Sequence, residues 1–335
     1  MNPSKIIIET MVRKTLKDIK KSPNRAMRNL VDMGLHFSKG RFQTYFFEVA
    51  QTMLKNENSS FYALVPALVA NIDTERIVQF GMNVGYNSCT HGAGTIRDIE
   101  ENDGFNIPWS IFFQTSAAAY TQHKDTYHRL IQDGKTLGIY TWQVFVNRHP
   151  EVILPLVEEH KDCAFILYCD PDDLTLQFLD QAAELNNLML VIRYDEYTLD
   201  IFETLWDSGL LYSVFYEYDD SELDHILSGE LLSETEQAHP VFTALLANKD
   251  CSEHAQQIVY DYVQQTRAEQ VYLTIPWEVA YDSCFVDTII SGDPCSLGFD
   301  EHGMIYTMYQ SRPDWELNLF RNDLRTILKQ AFPKS

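Results

Sequence analysis

No stretch of this chain approaches the roughly 18–20 consecutive apolar residues of a membrane-spanning helix. The first apolar segment, KIIIETMVRKTL, is broken by charge every few residues and has no small-residue cleavage site. Neither a membrane contact nor a signal peptide is expected, and a cytoplasmic location follows as the default. Cysteine is scarce and scattered, six in 335 residues with no CxxC or CxxxCxxC spacing. That pattern argues against a disulfide framework and for thiols in a reducing compartment. Basic residues are scarce beyond the N-terminus. Residues 1–55 hold 11 Lys and Arg against 4 Asp and Glu, whereas the rest of the chain holds 15 against 44. An acidic body repels phosphate backbones, so nucleic acid is not an expected partner of that body. The basic N-terminus would meet either an anionic partner or the chain's own acidic surface.

What is present is a rhythm. Apolar content of 45% and aromatic content of 13% belong to a folded protein rather than a disordered one. Between Gly81 and Tyr218 short runs of β-branched and aromatic residues recur: NVGYNS, WSIFFQT, IYTWQVFVN, CAFILYCD, LMLVIRYD and LYSVFYEYD. Helix-length amphipathic segments separate them, for example PEVILPLVEEHKD and LTLQFLDQAAELNN. Near-continuous apolar strands alternating with helices indicate a parallel sheet covered by helices. Ligands of such sheets bind at the carboxyl ends of the strands. The first 72 residues read as helices, with Ile8, Met11, Val12, Leu16 and Ile19 at helical spacing. After Gly229 the pattern is mixed, and two short strands flank Asp300-Glu301-His302-Gly303, whose glycine suits a hairpin turn. The expected organisation is an α/β protein: a helical N-terminal domain (1–72), a partial (β/α)6 TIM-like parallel barrel (73–230), and a small α+β C-terminal extension (231–335).

Six βα units, the helical extension and the C-terminal hairpin together resemble radical SAM enzymes with a SPASM or twitch-type extension. The resemblance implies a partial barrel in which a CxxxCxxC loop after the first strand carries a [4Fe–4S] cluster that cleaves S-adenosylmethionine. In the tail, Cys295, Gly298 and the turn from Asp300 to Gly303 are similar to the family's hairpin. The departures are specific. Only Cys89 stands in SCTHGAG, where three thiolates would be required. The Gly-Gly-Glu expected after the second strand is replaced by WSIFFQTSAAAY, and the hairpin's closing Cys is replaced near Thr307 and Met308. Cys284 and Cys295 supply at most two ligands. S-adenosylmethionine or a [4Fe–4S] cluster is therefore expected only if ligands come from elsewhere, and no cofactor is predicted.

Taken on their own chemistry, the residues at the expected strand tips are Asn87, Cys89 and His91, then Gln114, Asn147 and His149, Cys169 and Asp170, Arg193 and Asp195, and Glu217 and Asp219. The ligand-binding set drawn from them is Asn87, Cys89, His91, Gln114, Arg193, Asp195 and Glu217. Asp170-Pro171 fits a helix N-cap followed by Pro at the first helical position. Arg193, inside VIRYD, needs either an acidic partner such as Asp195 or Glu217 or an anionic ligand. Alternation puts Tyr216 and Tyr218 on one face of their strand and Glu217 on the other. Cys89 as a nucleophile is disfavoured, because neighbouring residues seldom give productive thiolate–imidazole geometry. The leading expectation is a radical SAM-like binding, accessory or regulatory protein without cluster chemistry. Its partner would be a peptide or small anionic ligand, or a protein met through the N-terminal helices. The alternative is a barrel enzyme with a metal or acid–base site at the strand ends, built on Asp195, Glu217 and His91.

Overall fold

The structure, a computed structural model, describes residues 3–38, 40–195, 199–307 and 317–334. Nine strands are described: β1 (Ser110–Ser116), β2 (Thr141–Asn147), β3 (Ala164–Cys169), β4 (Leu188–Arg193), β5 (Tyr212–Tyr218), β6 (Phe242–Ala247), β7 (Ile275–Glu278), β8 (Leu297–Phe299) and β9 (Ile305–Tyr306). Helices connect β1 to β7 in succession, so the protein is α/β with parallel strands. The chain forms two compact units. One comprises Met1–Lys39, Gln43–Val78 and Leu190–Asp282, and the other Gly40–Phe42, Gln79–Met189 and Ser283–Ser335.

In the first unit β4, β5, β6 and β7 pair in sequence order, all parallel. Parallel pairing therefore continues through β6 and β7, beyond the last of the six strands read from the sequence. The repeat is harder to see there because FTALLA is short and IPWE carries a proline. The N-terminal helices run Pro3–Ile19, Pro23–Phe37, Arg41–Met53 and Phe61–Asn71, as the helical spacing predicts. Within this unit the basic segment docks on its own chain. Arg13 reaches Glu75 at 2.8 Å, and the Ser60 amide donates to Gln270 O at 2.9 Å.

In the second unit the strand order is β9-β8-β1-β2-β3. β8, β1, β2 and β3 pair parallel, and β8–β9 is an antiparallel hairpin. The hairpin turn follows the sequence reading: Asp300 accepts from the His302 and Met304 amides, and Gly303 takes a φ of 75°, which a side chain would strain. Met308, where the closing Cys of the resemblance would fall, lies outside the described residues. One face of this sheet is sealed by helices. Ile111, Phe113, Trp142, Val144, Phe165 and Leu167 are each at most 1% exposed. The Phe113 ring lies 5.3 Å from Tyr127 of helix Ala117–Leu137.

One expected strand is not a strand. NVGYNS is helical: helix Thr74–Met82 runs into a π-helical stretch, Asn83–Gly92, and then into helix Ala93–Asp103. Asn and Gly are depleted in strands, and the buried set Asn83, Tyr86, Asn87, Ser88, Cys89 and Gly92 recurs with helical rather than alternating spacing. The first strand is instead Ser110–Ser116, the run expected to be the second.

Candidate functional site

Correcting that element moves three of the seven expected site residues. Asn83 donates to the carbonyls of Lys161 and Cys163 at 2.9 and 2.7 Å, and Asn87 donates to Asp162 O at 2.8 Å. Those carbonyls immediately precede β3. The His91 ring lies 6.0 Å from Tyr140, which immediately precedes β2. Asn87, Cys89 and His91 thus sit at the amino ends of β2 and β3, opposite the end where parallel sheets bind ligands. Asn87 is a structural amide that satisfies loop carbonyls, which would be costly to leave unpaired. Burial pushes the Cys89 thiol up to about 12, which removes it as a nucleophile. Within its unit His91 therefore lies at the end of the strands away from their carboxyl ends.

The remaining four stand near strand carboxyl ends, in two different units. Gln114 is exposed on β1. Arg193, at the end of β4, pairs with Glu217 of β5 at 2.8 Å, with about a third of each side chain exposed. The guanidinium also lies 5.2 Å from the centre of the Phe215 ring. Register explains the pair: Arg193 is opposite Phe215, and Glu217 lies two residues on along the same face. On the other face Tyr216 donates to Glu222 at 2.6 Å, and Tyr218 donates to Glu278 at 3.0 Å. Asp195 is exposed. Asp170 holds the N-cap position before Pro171, but its carboxylate makes no capping hydrogen bond. His149 is exposed and lies 3.3 Å from Glu151.

Sequence reading missed what surrounds Gln114. The face of β1, β2, β3 and β9 away from the sealing helices is open in part, with Phe112, Gln114, Ser116, Phe145, Ile166 and Tyr306 all partly or fully exposed. Its centre is aromatic. Phe112 lies 5.8 Å from Tyr168 and 6.2 Å from Tyr306, in edge-to-face contacts. Gln143 fixes Tyr168 by accepting its hydroxyl at 2.9 Å. A Cβ on Gly298 would meet the Tyr306 ring at 2.3 Å, so any larger residue there would displace that ring. The Tyr306 hydroxyl is buried and has no hydrogen-bond partner among the described residues, and burial raises its pKa well above the ordinary phenol value. Alternation in WSIFFQT and IYTWQVFVN marks these residues as one face, but not as the face left uncovered.

The loop after β1 does not suit an iron–sulfur cubane. From Thr90 to Asp162 the chain contains no cysteine, so the end of β1 and the start of helix Ala117–Leu137 offer no thiolate. At the spacing of a CxxxCxxC motif, counted from the last residue of β1, stand Ser116, Tyr120 and His123. Ser116 caps the helix by accepting from the Ala119 amide, and His123 stacks on Phe320 with ring centres 3.8 Å apart. Cubane iron is held by cysteine thiolates; these side chains do not fit the group. Cys284 and Cys295 lie elsewhere, both buried, with Cys284 Sγ 3.1 Å from Ser296 Oγ.

No family model matches the chain, and no curated protein matches it in sequence. Solved structures do. Streptococcus suis SuiB bound to S-adenosylmethionine is 10% identical over 70% of this chain and 66% of its own, with a TM-score of 0.51. SuiB bound to the precursor peptide SuiA is 9% identical over 70% and 67%, again at 0.51. A further SuiB structure is 11% identical over 90% of this chain and 81% of its own, at 0.50. This chain thus spans about two thirds of SuiB in the first two comparisons. At such identities the likeness concerns the fold alone: the chain has a radical SAM-like α/β fold.

Proposed function

We propose that this protein is a radical SAM-like peptide-binding module that does not carry out cluster chemistry, acting as an accessory or regulatory protein. The reading rests on one observation. Where β1 ends and a cluster loop would follow, the chain supplies Ser116, Tyr120 and His123 instead of thiolates, beside a half-open aromatic sheet face. Phe112, Phe145 and Tyr306 offer apolar area to an extended chain. Aromatic anchors with few rotatable bonds lose little entropy on binding, which suits recognition of an extended chain. That one SuiB structure contains a precursor peptide supports a peptide over a small anion. In the other unit, the half-exposed Arg193–Glu217 pair supports recognition of a charged side chain. The basic N-terminal helices, with Ile7 and Phe37 more than half exposed, support contact with an acidic protein partner.

A random peptide library presented to the intact chain tests this reading. Binders should emerge whose affinity falls about tenfold in Phe112→Ala or Phe145→Ala, the loss of one well-packed aromatic contact. Failure to obtain saturable binders, or binders indifferent to both substitutions, would contradict it.

A further inference from the structure

Outside that face, the second unit holds a cluster that neither the sequence reading nor the proposed function uses. His128 projects from the middle of helix Ala117–Leu137, and Glu159 and His160 close helix Leu154–Glu159 just ahead of β3. One ligating atom from each of the three lies within 4.8 Å of the others, and His128 Nδ1 is 3.0 Å from Glu159 Oε2. Two features separate this cluster from an ordinary ion pair. His160 is 1% exposed, yet among the described residues its Nε2 has no hydrogen-bond partner, and His128 Nε2 is likewise buried without one. Each is a polar atom that normally costs stability when left unsatisfied, and two imidazoles with such nitrogens beside one carboxylate call for a ligand.

We propose that His128, Glu159 and His160 form a binding site for a divalent transition metal of the zinc class. Two imidazoles and a carboxylate suit zinc and its neighbours, whereas magnesium and calcium take all-oxygen sets. Bonds of about 2.0–2.1 Å in a tetrahedron set ligand atoms about 3.3 Å apart, close to the observed His128–Glu159 spacing. Lys135, two turns along the same helix, is neutralised by Asp162 at 2.7 Å and does not oppose a cation. The fourth position opens to water, because more than half of the Glu159 side chain is exposed. The ion would pin the end of helix Leu154–Glu159 to helix Ala117–Leu137. The site faces away from the aromatic sheet face, so it stands or falls independently of peptide binding.

The test uses the full chain after chelator treatment. Zinc titrated calorimetrically should bind at one ion per chain, and cobalt should give visible ligand-field bands of a four-coordinate nitrogen and oxygen site. Glu159→Gln, on an exposed side chain, and His128→Gln should keep the fold by circular dichroism while weakening zinc at least about tenfold. Three results would overturn the proposal: no saturable stoichiometric binding, equal binding by both variants, or a cobalt–thiolate charge-transfer band placing the metal on cysteine.

Discussion

Replacing Asp287 by Asn probes the interior beneath β1 and β8. Asp287 is 1% exposed; its carboxylate accepts from the Trp109 amide and from Ser296 Oγ, each at 2.9 Å. Burial, outweighing these bonds, pushes its pKa from 3.8 up to about 7. A raised acid contributes stability that is complete below its unfolded pKa and is lost as pH rises towards the folded one. Between about pH 5 and pH 7 the folded state keeps a proton that the unfolded state has released. At about 1.4 kcal/mol per pH unit, roughly 3 kcal/mol of stability disappears over that window. Asn carries no charge at any of these pH values. It keeps an acceptor for Trp109 and leaves one other donor unmatched, for about 1 kcal/mol. Asp287→Asn should therefore be slightly less stable than the parent at about pH 5 and more stable by about 2 kcal/mol at about pH 8. Urea unfolding followed by tryptophan fluorescence measures both, and groups common to the two proteins cancel. A stability difference that stays constant across that range would refute the reasoning.

Three further outcomes follow from the same geometry. Gly92→Ala should destabilise by about 3 kcal/mol or more by thermal unfolding, because its Cβ would meet the Gly138 carbonyl oxygen at 2.1 Å, and that oxygen belongs to backbone. Tyr218→Phe removes the hydroxyl that donates to Glu278, a buried acid already pushed up to about 7. The loss should be about 1.5–3 kcal/mol above pH 7 and smaller at acid pH, where the carboxyl is neutral, as seen in paired urea titrations. Native Cys89 should resist thiol reagents at alkaline pH and react only on unfolding, read by mass spectrometry, since the residue is 7% exposed and its thiol is held near 12.

Much of this fold is legible in the chain because a strand buried on one face and crossed by helices must be both apolar and short. WSIFFQT, IYTWQVFVN, CAFILYCD, LMLVIRYD and LYSVFYEYD all become strands. NVGYNS misleads because six residues cannot separate a strand from a helical turn. The deciding contacts, Asn83 and Asn87 on loop carbonyls, come from residues about 80 positions away. Glu217 opposite Tyr216 and Tyr218 follows from the two-residue period alone, and so does its reach to Arg193 once the register is known. The aromatic face and the His128–Glu159–His160 cluster were not legible. Both depend on which surface stays uncovered and on helices brought together across some 30 residues, which no local pattern encodes.

The most direct test of the central claim is anaerobic iron–sulfur reconstitution of the full chain, with iron counted and S-adenosylmethionine cleavage followed under a strong reductant. A chain that places Ser116 at the end of its first strand and Tyr120 and His123 in the helix that follows, with no cysteine among them, should return colourless, with no stoichiometric iron and no 5′-deoxyadenosine. A brown product holding about four irons per chain and cleaving S-adenosylmethionine would contradict the account.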